Sequence, residues 1–221
     1  YKEAAAQYFE LAELMENENR YTVLSMLNIR KSLEETAKQR KAMEEQNRIL
    51  QKRSETDALT GMYNRFRLND YAEEAFQRAM RERTPLAVEI LDIDYFKQYN
   101  DHYGHVQGDS AINEVADILR NSVRKNDTVI RYGGEEMVMF ISGIRPDAAL
   151  RTADEIQKKL SEKSIEHKYS DISDKLTVSM GIYNTEYAGQ DIYSLIDKAD
   201  IALYRAKEKG RNRYEVYTEE Y

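Results

Sequence analysis

No glycine or proline occurs before Gly61. Residues 1–56 are instead rich in Glu, Lys, Arg, Gln, Leu and Ala, all strong helix formers. So long a stretch without a breaker is read as a helical arm. Its basic and acidic residues balance at ten each. A heptad register runs through it. Ala5, Ala12, Asn19, Met26, Leu33, Arg40 and Asn47 fall at a, and Tyr8, Met15, Thr22, Ile29, Thr36, Met43 and Leu50 at d. The polar a residues weaken such a seam but can fix its register. Length and the missing breakers favour a dimerising coiled-coil arm over a helix packed on its own domain. A pair of helices broken near Glu16–Asn19 stays open. So does a first 20 residues that ends an upstream helical domain.

The rest of the 221 residues suffices for one ordinary domain, residues 57–221. The net charge of −7 argues against a broad basic footprint, so nucleic acid is not expected as a partner. There is no cysteine, hence no disulfide framework and no thiolate metal site. No apolar run approaches the roughly 18 residues of a membrane span, so no membrane contact is expected within this stretch. The chain opens on Tyr1 rather than Met and is read as a fragment, with room upstream for a sensor or membrane segment.

From Asp57 onward strand and helix patterns interleave. Residues 66–83 read as a helix with Phe66, Tyr71, Ala75, Phe76 and Ala79 on its apolar face. Pro85 opens a strand, LAVEILDID, and helices are expected near 95–102 and 109–122. Two strands, TVIRY and MVMFIS, flank Gly133 and Gly134, a tight-hairpin signal. A helix opens at Pro146, a strand covers 175–183, a helix covers 191–208 before Gly210, and RYEVYT closes the pattern. The fold class is therefore α/β, an α+β sandwich with a mixed sheet.

The chemistry gathers at strand ends. The hairpin carries Glu135 and Glu136 directly after its glycines, and LDIDYFK carries Asp92 and Asp94 about forty residues upstream. Carboxylates at one sheet edge suit Mg²⁺, which takes oxygen ligands and substrate phosphates. Two ions about 4 Å apart would stabilise both oxygens of a phosphoryl displacement. Asp94 fits equally well as the cap of the helix beginning at Tyr95. Asn100 and Asp109 can complement a polar base edge, Asp reading N–H donors such as those of guanine. Both also fit as helix-end caps, and spacing alone leaves the two roles even. His102 and His105 read as hydrogen-bonding groups within their loop.

Taken together, DALTGMYNR (57–65), DIDYFKQYND (92–101), GHVQGD (104–109), RYGGEE (131–136), SMGIY (179–183) and ALYRAKEKGRNR (202–213) resemble the GGDEF family of bacterial diguanylate cyclases. The likeness covers residues 54–217. It implies a central sheet like that of the nucleotidyl-cyclase and polymerase palm, flanked by helices. It also implies a cytoplasmic enzyme that condenses two GTP into cyclic di-GMP and two pyrophosphates between two subunits, with residues 1–56 holding the homodimer. By resemblance, Asp92, the Ile93 carbonyl, Glu135 and Glu136 hold two Mg²⁺ (or Mn²⁺) ions per half-site, and Asp92, Glu135 and Glu136 are the catalytic carboxylates. Either glutamate is placed to help deprotonate the 3′-hydroxyl. Asn100 and Asp109 match the guanine readers. Phe96 and Lys97 match a turn whose amides hold phosphate, and Lys207 and Arg211 match the triphosphate cations. Residues 57–61 match the hinge between arm and domain.

Arg124 and Asp127 match an inhibitory RxxD motif that binds product, cyclic di-GMP. A further arginine of that site has no counterpart, and Glu155 stands in its region. The signature ends in Met137 instead of an aromatic residue, and its side chain is expected to pack into the sheet. Two other readings compete with an active cyclase. One is a cyclic di-GMP receptor or scaffold, and the other is a domain that binds GTP without cyclising it.

Overall fold

A computed structural model describes residues 2–53, 55–143, 145–185 and 191–219. The chain divides into two compact units, Tyr1–Arg53 and Ser54–Tyr221. The first is one continuous helix, α1 (Lys2–Arg53), with no break near Glu16–Asn19. Its described heptad residues are exposed, among them Tyr8, Met15, Met26, Ile29, Leu33, Met43 and Leu50. The side chain of Ala5 lies outside the described residues.

The second unit runs β1 (Tyr63–Asn64), α2 (Arg65–Glu82), β2 (Leu86–Ile93), α3 (Phe96–Tyr103), α4 (His105–Arg120), β3 (Thr128–Gly133), β4 (Glu136–Ser142), α5 (Pro146–Lys163), β5 (Val178–Thr185), α6 (Ile192–Glu208) and β6 (Tyr214–Val216). The six strands form one sheet in the order β1-β3-β4-β2-β5-β6. The central β2 is antiparallel to both β4 and β5, whereas β1 pairs β3 and β5 pairs β6 in parallel. This is the mixed sheet expected.

Alternation along β2 feeds two cores. Ala87, Leu91 and Ile93 join one cluster with α3, α4 and α5, while Leu86, Val88 and Ile90 join another with α2 and α6. The phase of α2 differs from expectation. Leu68, Ala72, Ala75, Phe76 and Ala79 are buried, but Phe66 is 57% exposed, because it lies off that i, i+3/i+4 stripe. Met137 is fully buried in the first cluster, as anticipated.

The helix expected from residue 109 starts at His105, so Asp109 sits inside α4 and does not cap it. Asn100 likewise lies within α3, where its own backbone is already paired helically. Before β5, an isolated bridge between Glu166 and Lys175 ties down a loop that sequence patterning left blank.

Candidate active site

The register of the sheet assembles the acidic edge. Asp92, the penultimate residue of β2, lies directly opposite Glu136 on β4, and Glu135 stands at the hairpin tip beside them. Of the two hairpin glycines, Gly134 adopts positive φ (49°), which glycine reaches at low cost. A side chain at either glycine would meet nothing within 4 Å, so the tip offers open backbone. Arg131 anchors this tip. Its guanidinium donates to the Gly134 carbonyl from Nε (3.0 Å) and Nη2 (2.7 Å) and to Asp57 Oδ1 (2.9 Å). Burial works against the Asp57 charge, but the bonds from Arg131 and Thr60 outweigh it and hold that carboxyl below its usual range. The turn at 57–61 is thereby locked to the hairpin.

A cleft of about 480 Å³ opens along this edge, lined by Asp92, Ile93, Tyr95, Phe96, Lys97, Glu135, Lys207 and Arg211 with Gln98 and Asp101. Lys207 Nζ rests 3.0 Å from Asp92 Oδ1. Burial lifts the Asp92 carboxyl to about 6 against the pull of Lys207, and Glu135 and Glu136 push the same way. Glu136 lines a neighbouring depression with Tyr132, Asp197 and Asp200. Among the described residues, no three acidic, His or Cys side chains converge tightly enough to hold a metal ion. Asp92 and Glu135 in one cleft nevertheless form the hard-oxygen donor set a divalent cation takes when phosphates complete its shell. The ammonium on Asp92 marks a position where positive charge is stabilised.

α3 and α4 approach closely where Asn100 meets Gly108. Asn100 Oδ1 is buried and has no hydrogen-bond partner among the described residues. The bare backbone of Gly108 makes room for it. A Cβ there would lie 1.9 Å from Asn100 Oδ1 and 3.2 Å from Phe96 Cζ. Asp109, next in the chain, is exposed at the same end of α4.

Asp94 departs from expectation. β2 ends at Ile93, so strand alternation no longer applies, and Asp94 neither joins Asp92 nor caps α3. It is 1% exposed and accepts bonds from Thr177 Oγ1 (2.8 Å), Ser179 Oγ (2.6 Å) and the Asn212 amide (3.0 Å). It therefore ties β5 and the loop after α6 to the end of β2. That loop carries Arg211, whose guanidinium lies 4.6 Å from the centre of the Tyr95 ring, over its face. α6 ends at Glu208, so Lys207 belongs to the helix and Arg211 does not. His102 Nδ1 pairs with the Gln98 carbonyl at 2.8 Å inside α3, and its ring stacks on Tyr169.

Arg124 and Asp127 lie at the far end of the hairpin, lining a recess of about 400 Å³. Asp127 accepts bonds from the amides of Arg124 (2.8 Å) and Ser142 (3.3 Å). Glu155 pairs with Lys159 on α5. Motif reading left Asp94 between a site carboxylate and a helix cap, and it missed Arg131 and the close approach of Gly108 to Asn100. The GHVQGD spacing held a signal for the last.

The family described as "Diguanylate cyclase, GGDEF domain" matches residues 54–213. Diguanylate cyclase A of Treponema denticola is 38% identical over 132 residues, covering 60% of this chain and 35% of that protein. The first curated relatives are covered over 23–35% of their length. The crystal structure of the GGDEF domain of DgcB from Caulobacter crescentus, in complex with c-di-GMP, superposes with a TM-score of 0.68 at 32% identity, covering 74% of this chain and 96% of that one. The structure comprising the coiled coil and GGDEF domain of the same protein gives 0.68 at 28%, covering 85% and 98%.

Proposed function

The chain belongs to the GGDEF family, and on that premise we propose that it is a diguanylate cyclase, condensing two GTP into cyclic di-GMP and two pyrophosphates. The observation that carries this reading is Asp92 and Glu135 in one cleft with Lys207 and Arg211, beneath a hairpin tip of open backbone. Asp92, Glu135 and the Ile93 carbonyl would hold the divalent cations, two Mg²⁺ or Mn²⁺ per half-site, with Glu136 as a further ligand. The ions neutralise the triphosphate and stabilise the attacking and leaving oxygens. Lys207 and Arg211 add positive charge, and the Phe96 and Lys97 amides of the first α3 turn, which lack helical partners, donate to phosphate oxygens. Asn100 and Asp109 read guanine, and the orphaned Asn100 oxygen gains a partner when the base enters.

One subunit supplies one half-site. The arm, residues 1–56, brings a second copy close enough for each 3′-hydroxyl to attack the other nucleotide's α-phosphate. Arg124 and Asp127 bind product and inhibit. The site of action is the cytoplasm, where GTP is available. No helix among the described residues is long and apolar enough to cross a membrane.

Incubation with GTP and Mg²⁺, read by chromatography with mass detection, tests the reading. Cyclic di-GMP is expected from the parent and none from Glu135→Ala. A protein that binds cyclic di-GMP but neither binds GTP nor forms product is a receptor, and the proposal fails.

A further inference from the structure

His167 lies 72 residues from Tyr95 in sequence yet holds it in space. The imidazole is fully buried, with Nε2 3.3 Å from the Tyr95 carbonyl oxygen. It sits edge-on to Tyr99, with ring centroids 5.1 Å apart, and is steadied by the bridged loop through its amide bond to the Asp174 carbonyl (2.8 Å). Nδ1 is buried without a partner among the described residues. Since a carbonyl can only accept, the ring proton belongs on Nε2. Burial holds the imidazole below its usual pKa, consistent with a neutral ring.

Tyr95 needs holding. It precedes α3 in the left-handed region (φ 53°, ψ 32°), which a non-glycine residue occupies at a cost. Its carbonyl also accepts the Tyr99 amide at 3.0 Å. The peptide that ends in this carbonyl begins the next residue: its N–H is that of Phe96. In a planar trans peptide the two point in opposite directions. Fixing the carbonyl toward His167 and the helix fixes the Phe96 N–H the other way. A hydrogen bond to the carbonyl also polarises the amide and strengthens it as a donor.

We propose that His167 is a positioning residue for phosphate: by donating from Nε2 to the Tyr95 carbonyl it aims and strengthens the Phe96 amide that meets the nucleotide's phosphate oxygens. This rests on the phosphate-binding reading of the α3 turn given above.

The test compares two ligands on the full chain with Mg²⁺ present: a GTP analogue with an α,β-methylene bridge, and guanosine, which has no phosphate. His167→Phe keeps an aromatic ring and loses the donor; His167→Gln keeps a donor. His167→Phe should weaken the analogue about tenfold, the size of one lost hydrogen bond. Guanosine affinity should not change, and His167→Gln should recover most of the loss. Equal weakening of both ligands, or of neither, overturns the proposal. A parent that binds guanosine but gains nothing from the triphosphate overturns the phosphate reading together with it. Nitrogen NMR of the unsubstituted protein gives a reading independent of folding in the variants. An Nε2-protonated ring coupled to the Tyr95 carbonyl supports the role, and an Nδ1-protonated ring overturns it.

Discussion

Two single residues carry physical conflicts that can be measured. Gly108 is the first. Replacing it with alanine should suit α4, since alanine is the better helix former by about 1 kcal/mol. The new Cβ would nevertheless lie 1.9 Å from Asn100 Oδ1, so Asn100 must swing away from the place where it is proposed to read the base. Gly108→Ala is therefore expected to leave the melting temperature unchanged or raised, while GTP affinity by calorimetry falls at least about tenfold, the loss of a bond to a polar base edge. Unchanged affinity would remove Asn100 from the base site. Glu89 is the second. It is fully buried on β2, and neither carboxyl oxygen has a partner among the described residues. Burial, with Asp127 nearby, raises its pKa to about 8. An acid whose folded pKa lies above its unfolded value stabilises the fold most below the unfolded pKa, near 4.5. That contribution is lost as pH rises toward 8, at up to about 1.4 kcal/mol per pH unit. Glu89→Gln cannot ionise, so its denaturation midpoint should gain on the parent's steadily between pH 5 and pH 8. Parallel profiles would show that Glu89 does not titrate in this range.

At the scale of elements, the seam between β5 and α6 sets where Lys207 stands. A Cβ on Gly181 would lie 2.1 Å from the Ala199 carbonyl oxygen and 2.2 Å from the Leu203 amide nitrogen. Both are backbone atoms, so no side chain can rotate away and the helix itself must move. Gly181→Ala should cost about 3 kcal/mol, at the upper end for overpacking. That corresponds to a fall of roughly 10 °C in melting temperature, and the displacement of α6 should weaken activity as well. A melt within a degree or two of the parent would mean the two elements part more easily than their packing implies. The elements themselves were legible in the sequence, because the short apolar runs LAVEILDI and MVMFIS and the paired glycines are local signals. The strand order was not. β2 sits between β4 and β5, which come from distant segments. The site divides in the same way. Asp92, Glu135, Lys207 and Arg211 belong to motifs, and the fold brings them into one cleft. Asp94 was misjudged, because whether it caps a helix or enters a core depends on Thr177, Ser179 and Asn212, more than eighty residues away. His167 gave no signal, since a lone histidine between helix and strand reveals nothing about a carbonyl 72 residues upstream.

The whole molecule joins a compact unit with its own two cores to a 52-residue helix with exposed apolar side chains. Those side chains are distributed unevenly. Among the described side chains between Leu33 and Leu50, the exposed large apolar ones are Leu33, Met43 and Leu50, all on the a/d line. Nearer the N-terminus, Phe9, Leu11, Leu14, Tyr21, Leu24 and Leu27 are exposed off that line as well. A narrow seam suits one partner helix, and the broader apolar surface ahead of it suits more than one. Surface ion pairs such as Arg30–Glu34 and Arg40–Glu44 contribute little beside that burial. If a second copy covers the seam, two half-sites are held at an effective concentration set by the arm and no longer by the protein concentration. Ile29→Glu combined with Leu33→Glu puts charge on neighbouring d and a positions, leaving every residue of the second unit intact. Sedimentation should then report a dimer for the parent and a monomer for the variant. Product formation per subunit, flat with dilution in the parent, should fall in proportion to protein concentration in the variant. A variant that stays dimeric, or a monomer whose specific activity does not change on dilution, would show that the arm does not assemble the reacting pair.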